Sequence, residues 1–129
     1  MHGRVGTLLL VFGAGQLALG ALMAVAPGTF FEEIGPYAPQ NDHYIRDVST
    51  FYLALGAVSL VAWRRPSWRV AVLAFALLQY ALHSVNHVVD VGEADPEKLG
   101  PLNLASLAIT AALLAWGLRT ALEEQEPAR

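Results

Sequence analysis

The sequence predicts an all-α fold: a four-transmembrane-helix antiparallel bundle with both termini cytoplasmic. Three observations carry that expectation. Of 129 residues, 55% are hydrophobic and only 15% are charged, against roughly 25% charged in ordinary soluble domains. The deficit is concentrated in four apolar runs, about 5–26, 44–63, 68–91 and 102–120. Each is near the ~20 residues that cross ~30 Å of hydrocarbon at ~1.5 Å per residue. None has a polar face broad enough for a soluble amphipathic helix, and a helix apolar all round belongs in a large core or in lipid. A chain this short has no core large enough for four of them. The expectation is one domain over 1–129, multi-pass in the plasma (inner) membrane, with the lipid bilayer as its first partner.

The first run follows Arg4 and ends in Ala24-Val25-Ala26, which resembles a signal-peptide cleavage site. Its apolar stretch exceeds the ~7–15 residues of a signal h-region, and Pro27 directly follows, so it is read as a retained helix. Gly6, Gly13 and Gly20 form a small-residue seam on this helix, and Gly56 offers another on the second. Such seams let helix backbones approach closely in lipid, within the chain or against a homo-oligomer or membrane-complex partner. Pro27-Gly28 ends the first helix, and a segment with Phe30, Phe31, Ile34 and Tyr37 follows. It is too apolar for a free loop and is expected to lie along the membrane surface or to cap the bundle.

Asn41 or Asp42 is suited to cap the second helix. Arg64-Arg65-Pro66-Ser67 is a tight connection that makes the second and third spans antiparallel neighbours, with Trp63 and Trp68 bracketing it at interface depth. Gly92-Glu93-Ala94-Asp95-Pro96 breaks the third helix, and Gly100-Pro101 opens the fourth. Leu-Ala-Leu-Gly-Ala occurs at 17–21 and 53–57. The two copies lie on oppositely directed helices, so this is coincidence in an Ala/Leu/Gly-rich chain rather than a repeat.

Charge sets the orientation. Arg4, Arg64, Arg65, Arg69, Arg119 and Arg129 fall on the side of the termini, and only Arg46 and Lys98 on the other. The positive-inside rule makes the first side cytoplasmic. A formal charge of −3 with no Lys/Arg-dense tract gives no reason to expect nucleic acid. With no cysteine, disulfides, thiolate metal sites and thiol catalysis are excluded.

The third run closes on His83-Ser-Val-Asn-His87-Val-Val-Asp90. Offsets of four and seven return to one helical face, and ionisable groups at membrane depth are functional candidates by default. The second helix begins at the same end with His43 and Asp47, another i, i+4 pair. Asn103, Ser106 and Thr110 make a polar stripe on the fourth helix, Gln16 lies near mid-membrane on the first, and Gln79-Tyr80 sit one turn below His83.

If the two paired faces abut, His43, Asp47, His83, His87 and Asp90 make a metal site of three to five N/O donors. Such donors suit a divalent Zn, Fe, Mn or Cu ion. Gln16, Gln79, Tyr80 and Asn103 would extend it into a ligand pocket. Haem held by His43 and His83 is less well supported, and a membrane di-iron oxygenase needs more histidines than four, one of which is His2.

Two other readings stand beside a redox-linked metal or small-ligand pocket. In one, the cluster only locks the helices of a non-catalytic subunit or scaffold, with His83 bonded to Asn103, Tyr80 or Asp47. In the other, a dimer carries divalent cations. No residue is assignable as catalytic.

The segment Asn41-Asp42-His43-Tyr44-Ile45-Arg46-Asp47, then Phe51-Tyr52-Leu53-Ala54-Leu55-Gly56, resembles the small four-helix bacterial membrane proteins grouped with the DoxX-like families. The glycine-rich first helix ending Ala26-Pro27, followed by Phe30-Phe31, has the same look. The resemblance covers about the first half of the chain. It implies association with quinone-reducing oxidoreductases; it assigns no role to His83, His87 or Asp90.

Overall fold

A computed structural model describes residues 3–125. Among them the architecture is all-helical: α1 (Arg4–Val25), α2 (Pro27–Glu33), α3 (Asp42–Arg64), a 3-10 turn (Pro66–Trp68), α4 (Arg69–Val89) and α5 (Leu99–Glu123). Four segments, Arg4–Val25, Asp42–Arg64, Pro66–Val89 and Leu99–Glu123, are long and apolar enough to cross a membrane. Val11, Leu78, Leu82, Val85, Ile109, Leu113 and Trp116 all stand exposed on the outside of the bundle. That surface is consistent with contact with a lipid bilayer. His2 and Arg129 lie outside the described residues.

Local chemistry sets the helix ends. Ala26 N–H closes α1 on the Leu22 carbonyl, and Pro27 opens α2, where a missing N–H costs nothing. Of the two cap candidates, Asn41 is the one used, its Oδ1 accepting from Tyr44 N–H at 3.0 Å. The last helix starts at Leu99, three residues before the expected 102, so Gly100-Pro101 form its first turn. A side chain at position 100 would run into the Val91 carbonyl, which explains glycine there.

The spans alternate in direction, so α1 begins where α3 ends, α4 begins and α5 ends. Arg69 ties this terminal end together. Its Nε donates to the Ala62 carbonyl at 3.4 Å and its Nη2 to Trp63 O at 3.5 Å, two carbonyls that the end of α3 leaves free. Its Nη1 also lies 3.5 Å from Glu124, the residue that caps α5.

The short turn makes α3 and α4 antiparallel neighbours, as expected, but they are not the intimate pair. Helix α1 packs along α3, and α4 along α5; the α3/α4 and α1/α5 seams are slighter. Glycines explain the first pairing. A Cβ on Gly13 would sit 3.0 Å from the Gly56 carbonyl, and one on Gly56 would sit 2.9 Å from the Gly13 carbonyl and 2.7 Å from Leu17. Gly20 meets Leu53 equally closely. Of the two uses expected for such seams, Gly13, Gly20 and Gly56 show packing within the chain. Across α3/α4, Phe51 and Phe75 stand with ring centroids 6.0 Å apart and hold the helices away from each other.

The densest packing lies toward the terminal end, where Val5, Leu9, Leu73 and Leu114 are completely buried. Toward the opposite end the two helix pairs part.

Candidate functional site

The parting leaves a cavity of about 340 Å³ walled by all four spans. Leu19 and Met23 line it from α1, Ile45, Val48 and Tyr52 from α3, Tyr80, His83 and His87 from α4, and Asn103, Ser106, Leu107 and Thr110 from α5. Phe30, Ile34 and Tyr37 close its top, so the α2 segment is a cap. Asn103 Nδ2 donates to the Ile34 carbonyl at 2.7 Å, pinning that cap to α5. An antiparallel bridge between Tyr37 and Ala94, with Asp95 N–H donating to Pro36 O at 3.1 Å, joins the cap to the α4–α5 loop.

Polar groups are few and ordered. Tyr37 Oη lies 3.1 Å from His87 Nδ1, and His87 Nε2 lies 3.2 Å from His83 Nε2. Two neutral imidazoles can bond this way only if one donates and the other accepts. At the inner end Gln16, 5% exposed, donates from Nε2 to Tyr80 Oη at 2.7 Å. That bond occupies the phenol as an acceptor and leaves its own proton to donate. Ser106 and Thr110 hydroxyls donate back to the carbonyls of Asn103 and Ser106, leaving their lone pairs as acceptors. Among the described residues, three buried side-chain atoms have no partner: Gln16 Oε1, Gln79 Oε1 and His83 Nδ1. Among the described residues no Asp, Glu, Lys or Arg lines the cavity.

The expected five-donor centre is not assembled. His43 and Asp47 pair with each other at 3.4 Å with side chains 86% and 65% exposed, and neither lines the cavity. Asp90 caps the end of α4 and is not among the residues that line the cavity. Among the described residues no group of three or more His, Asp or Glu side chains could hold a metal ion. The reason is the slight α3/α4 seam: the start of α3 turns His43 and Asp47 outward and offers the cavity Tyr44, Ile45 and Val48 instead.

His83, His87, Tyr80 and Asn103 do converge, and Gln16 supports them from behind Tyr80. Gln79 lies on the outer side of His83, in a groove between α3 and α4. The bonding of His83 also differs from the scaffold expectation: its partner is His87, one turn away, rather than Asn103, Tyr80 or Asp47. Sequence reasoning gave Tyr37 no role beyond the apolar cap and Tyr52 none in a site. The available signal was a phenol in each otherwise apolar segment.

Fold and site together define a class, a small multi-span helical bundle with a mostly apolar cavity at the end away from its termini. Within that class the chain belongs to the family described as "Domain of unknown function (DUF4345)", whose model matches residues 6–91. The match runs through the third span, past the first half on which the DoxX-like resemblance rested. It takes in every cavity-lining residue except those of α5. No curated protein and no solved structure matches the chain.

Proposed function

We propose that this protein sits in a membrane and binds a neutral, lipid-soluble small molecule in the cavity between its two helix pairs. The observation that carries this reading is the character of the lining. A cavity of about 340 Å³ has mostly apolar walls, a phenol proton and an imidazole at its inner end, and no formal charge. A charged ligand would be stripped of water there with no counter-ion, which is costly. A neutral molecule would place apolar surface against Leu19, Met23, Val48 and Leu107 while accepting a hydrogen bond from Tyr80. Pockets of this size, apolar with a few convergent polar groups, are the usual form of small-molecule sites.

The test is extraction of detergent-purified protein followed by mass spectrometry. Wild type should retain one neutral organic molecule in stoichiometric amount. Leu107→Trp, which fills the cavity, should lose it, and His83→Gln should fold normally but hold it less well. An empty wild-type protein would sink the proposal.

A metal ion is the second reading, and one distance favours it. The 3.2 Å between His83 Nε2 and His87 Nε2 is close to the span of two ligands on one tetrahedral zinc with bonds of ~2.0–2.1 Å. The third protein donor such a site needs is what the surroundings lack. Stoichiometric zinc binding that raises the melting temperature of wild type but not of His83→Gln would select this reading over the first.

The proposed orientation puts both termini and Arg65 in the cytoplasm, following the distribution of basic residues, so the cavity end faces outward. Single cysteines at Gly35, Arg65 and Asp95, probed with an impermeant thiol reagent on intact cells, should label at 35 and 95 only.

A further inference from the structure

A second hollow of about 330 Å³ lies on the outside of the bundle in the α3/α4 seam, lined by Val48, Phe51, Tyr52, Gln79, Leu82 and His83. Three of these, Val48, Tyr52 and His83, also line the central cavity, so one layer of side chains separates the two. We infer that cavity and groove form a single site for a lipid alcohol. Its hydroxyl is held at Gln79 and His83, and its hydrocarbon part runs through the groove to the bilayer. This rests on the membrane and small-ligand reading above and narrows its ligand class.

Depth and hydrogen-bond valence carry the inference. Gln79 is the middle residue of the 21-residue α4, about 15 Å from either end of the span. At that depth the groove opens onto hydrocarbon rather than water. Yet two of its lining residues, Gln79 and His83, each carry a buried polar atom, Oε1 and Nδ1, with no partner among the described residues. They are one helical turn apart, on one face of α4. Polar atoms at membrane depth must find partners, and these two find none among the described residues.

The occupant's chemistry follows from what those atoms require. Gln79 Oε1 can only accept, so its partner must donate; a ketone, ester or ether cannot. His83 Nδ1 donates or accepts according to its tautomer, which is set by the bonds from His83 through His87 to Tyr37. A hydroxyl both donates and accepts. It therefore donates to Gln79 Oε1 while accepting from a protonated His83 Nδ1, or, with the Gln79 amide turned, accepts from the amide while donating to an unprotonated Nδ1. Water has the same valence, but here it would turn its remaining hydrogen-bond capacity toward lipid chains. An alcohol presents hydroxyl inward and hydrocarbon outward. The slight α3/α4 seam, propped by Phe51 and Phe75, gives it a sideways entrance.

The test uses two photoactivatable probes in phosphatidylcholine vesicles: a long-chain alcohol with a diazirine in its chain, and its methyl ether. The alcohol should label peptides containing Phe51 and Leu82 about fivefold more than the ether, the ratio expected of one net hydrogen bond. Leu82→Trp fills the groove and should abolish labelling, whereas Leu78→Trp, exposed one turn away, should keep it. Gln79→Leu should bring alcohol and ether to parity. Equal labelling of wild type by both probes, or unchanged labelling of Leu82→Trp, overturns the inference.

The two readings fail separately. If Leu107→Trp releases the co-purified molecule while the probes do not discriminate, the cavity stands and the lipid-alcohol assignment falls. If Leu107→Trp releases nothing, the cavity reading falls first.

Discussion

Near the termini, Leu9, Leu73 and Leu114 meet with no exposed surface. About 15 Å further along α4, ten residues at ~1.5 Å each, the same helices surround a hollow of about 340 Å³. One half of the bundle is filled and the other is held open, although both are built from the same four spans. The filled half closes because glycine draws α1 onto α3 and because Arg69 binds the ends of three helices to one another. The open half is kept open by side chains rather than by a lack of them: Phe51 against Phe75 props the α3/α4 seam, and the Tyr37 segment roofs the gap. In the small-ligand reading, stability and binding are thus carried by different ends of the same helices, and substitutions should separate them.

The sharpest break of that contrast is at the α1/α3 crossing. Gly56→Val places atoms where Gly13 O and Leu17 already stand and should cost on the order of 1–3 kcal/mol or prevent assembly. Gly15→Val, with nothing within 4 Å of its new Cβ, should leave the detergent melting temperature unchanged. Equal losses would mean that the crossing is not where the pair is held.

Next come large-to-small changes in the two halves. Leu73→Ala should cost on the order of 1–3 kcal/mol. That is the packing share of the ~2–5 kcal/mol known for soluble cores, since burial from lipid gains no hydrophobic transfer energy. Val48→Ala, on the cavity wall, should cost well under ~1 kcal/mol, because part of its surface already faces empty space. Its effect should instead appear as weaker ligand retention. Comparable unfolding losses at both positions would erase the distinction between filled and open halves.

The smallest effect belongs to His43→Ala or Asp47→Ala. The pair is largely exposed, and such pairs contribute ~0.2–1 kcal/mol at most. Unfolding midpoints should barely move, and ligand retention should not change at all. A strong binding defect at either position would return α3's first turn to the site.

The fold was legible because lipid imposes a crude rule: long apolar runs, caps at their ends and a break between them. Span limits came within about three residues, and of the two places expected for the apolar segment after Pro27, along the membrane surface or over the bundle, it takes the second. The site was half legible. His83, His87, Tyr80 and Asn103 were visible as polar residues at compatible depths, and helical period placed the α4 residues on a shared face. What period cannot supply is the rotation of one helix against another. His43 and Asp47 have the same spacing as His83 and His87 but point away from the cavity, because the α3/α4 seam is set by Phe51, Tyr52 and Phe75 rather than by the i, i+4 pairs. The glycine seam left a similar choice open. Small residues announce close approach but not the identity of the neighbour, which here is the chain's own α3.

The filled terminal half also decides how the cavity can communicate. Below Tyr80 and Gln16 the path meets Phe12, Ala76, Leu9 and Leu73, all buried and apolar. The hollow is a blind alley, with a roof at one end and a floor at mid-depth. In the lipid-binding reading, a molecule that enters from the side leaves by the same side, and no gradient across the bilayer does work on it. Occupancy would then follow the mole fraction of that molecule in the surrounding lipid, whatever its concentration in the water on either face. Such a protein is built to report on, or draw from, the composition of its own membrane.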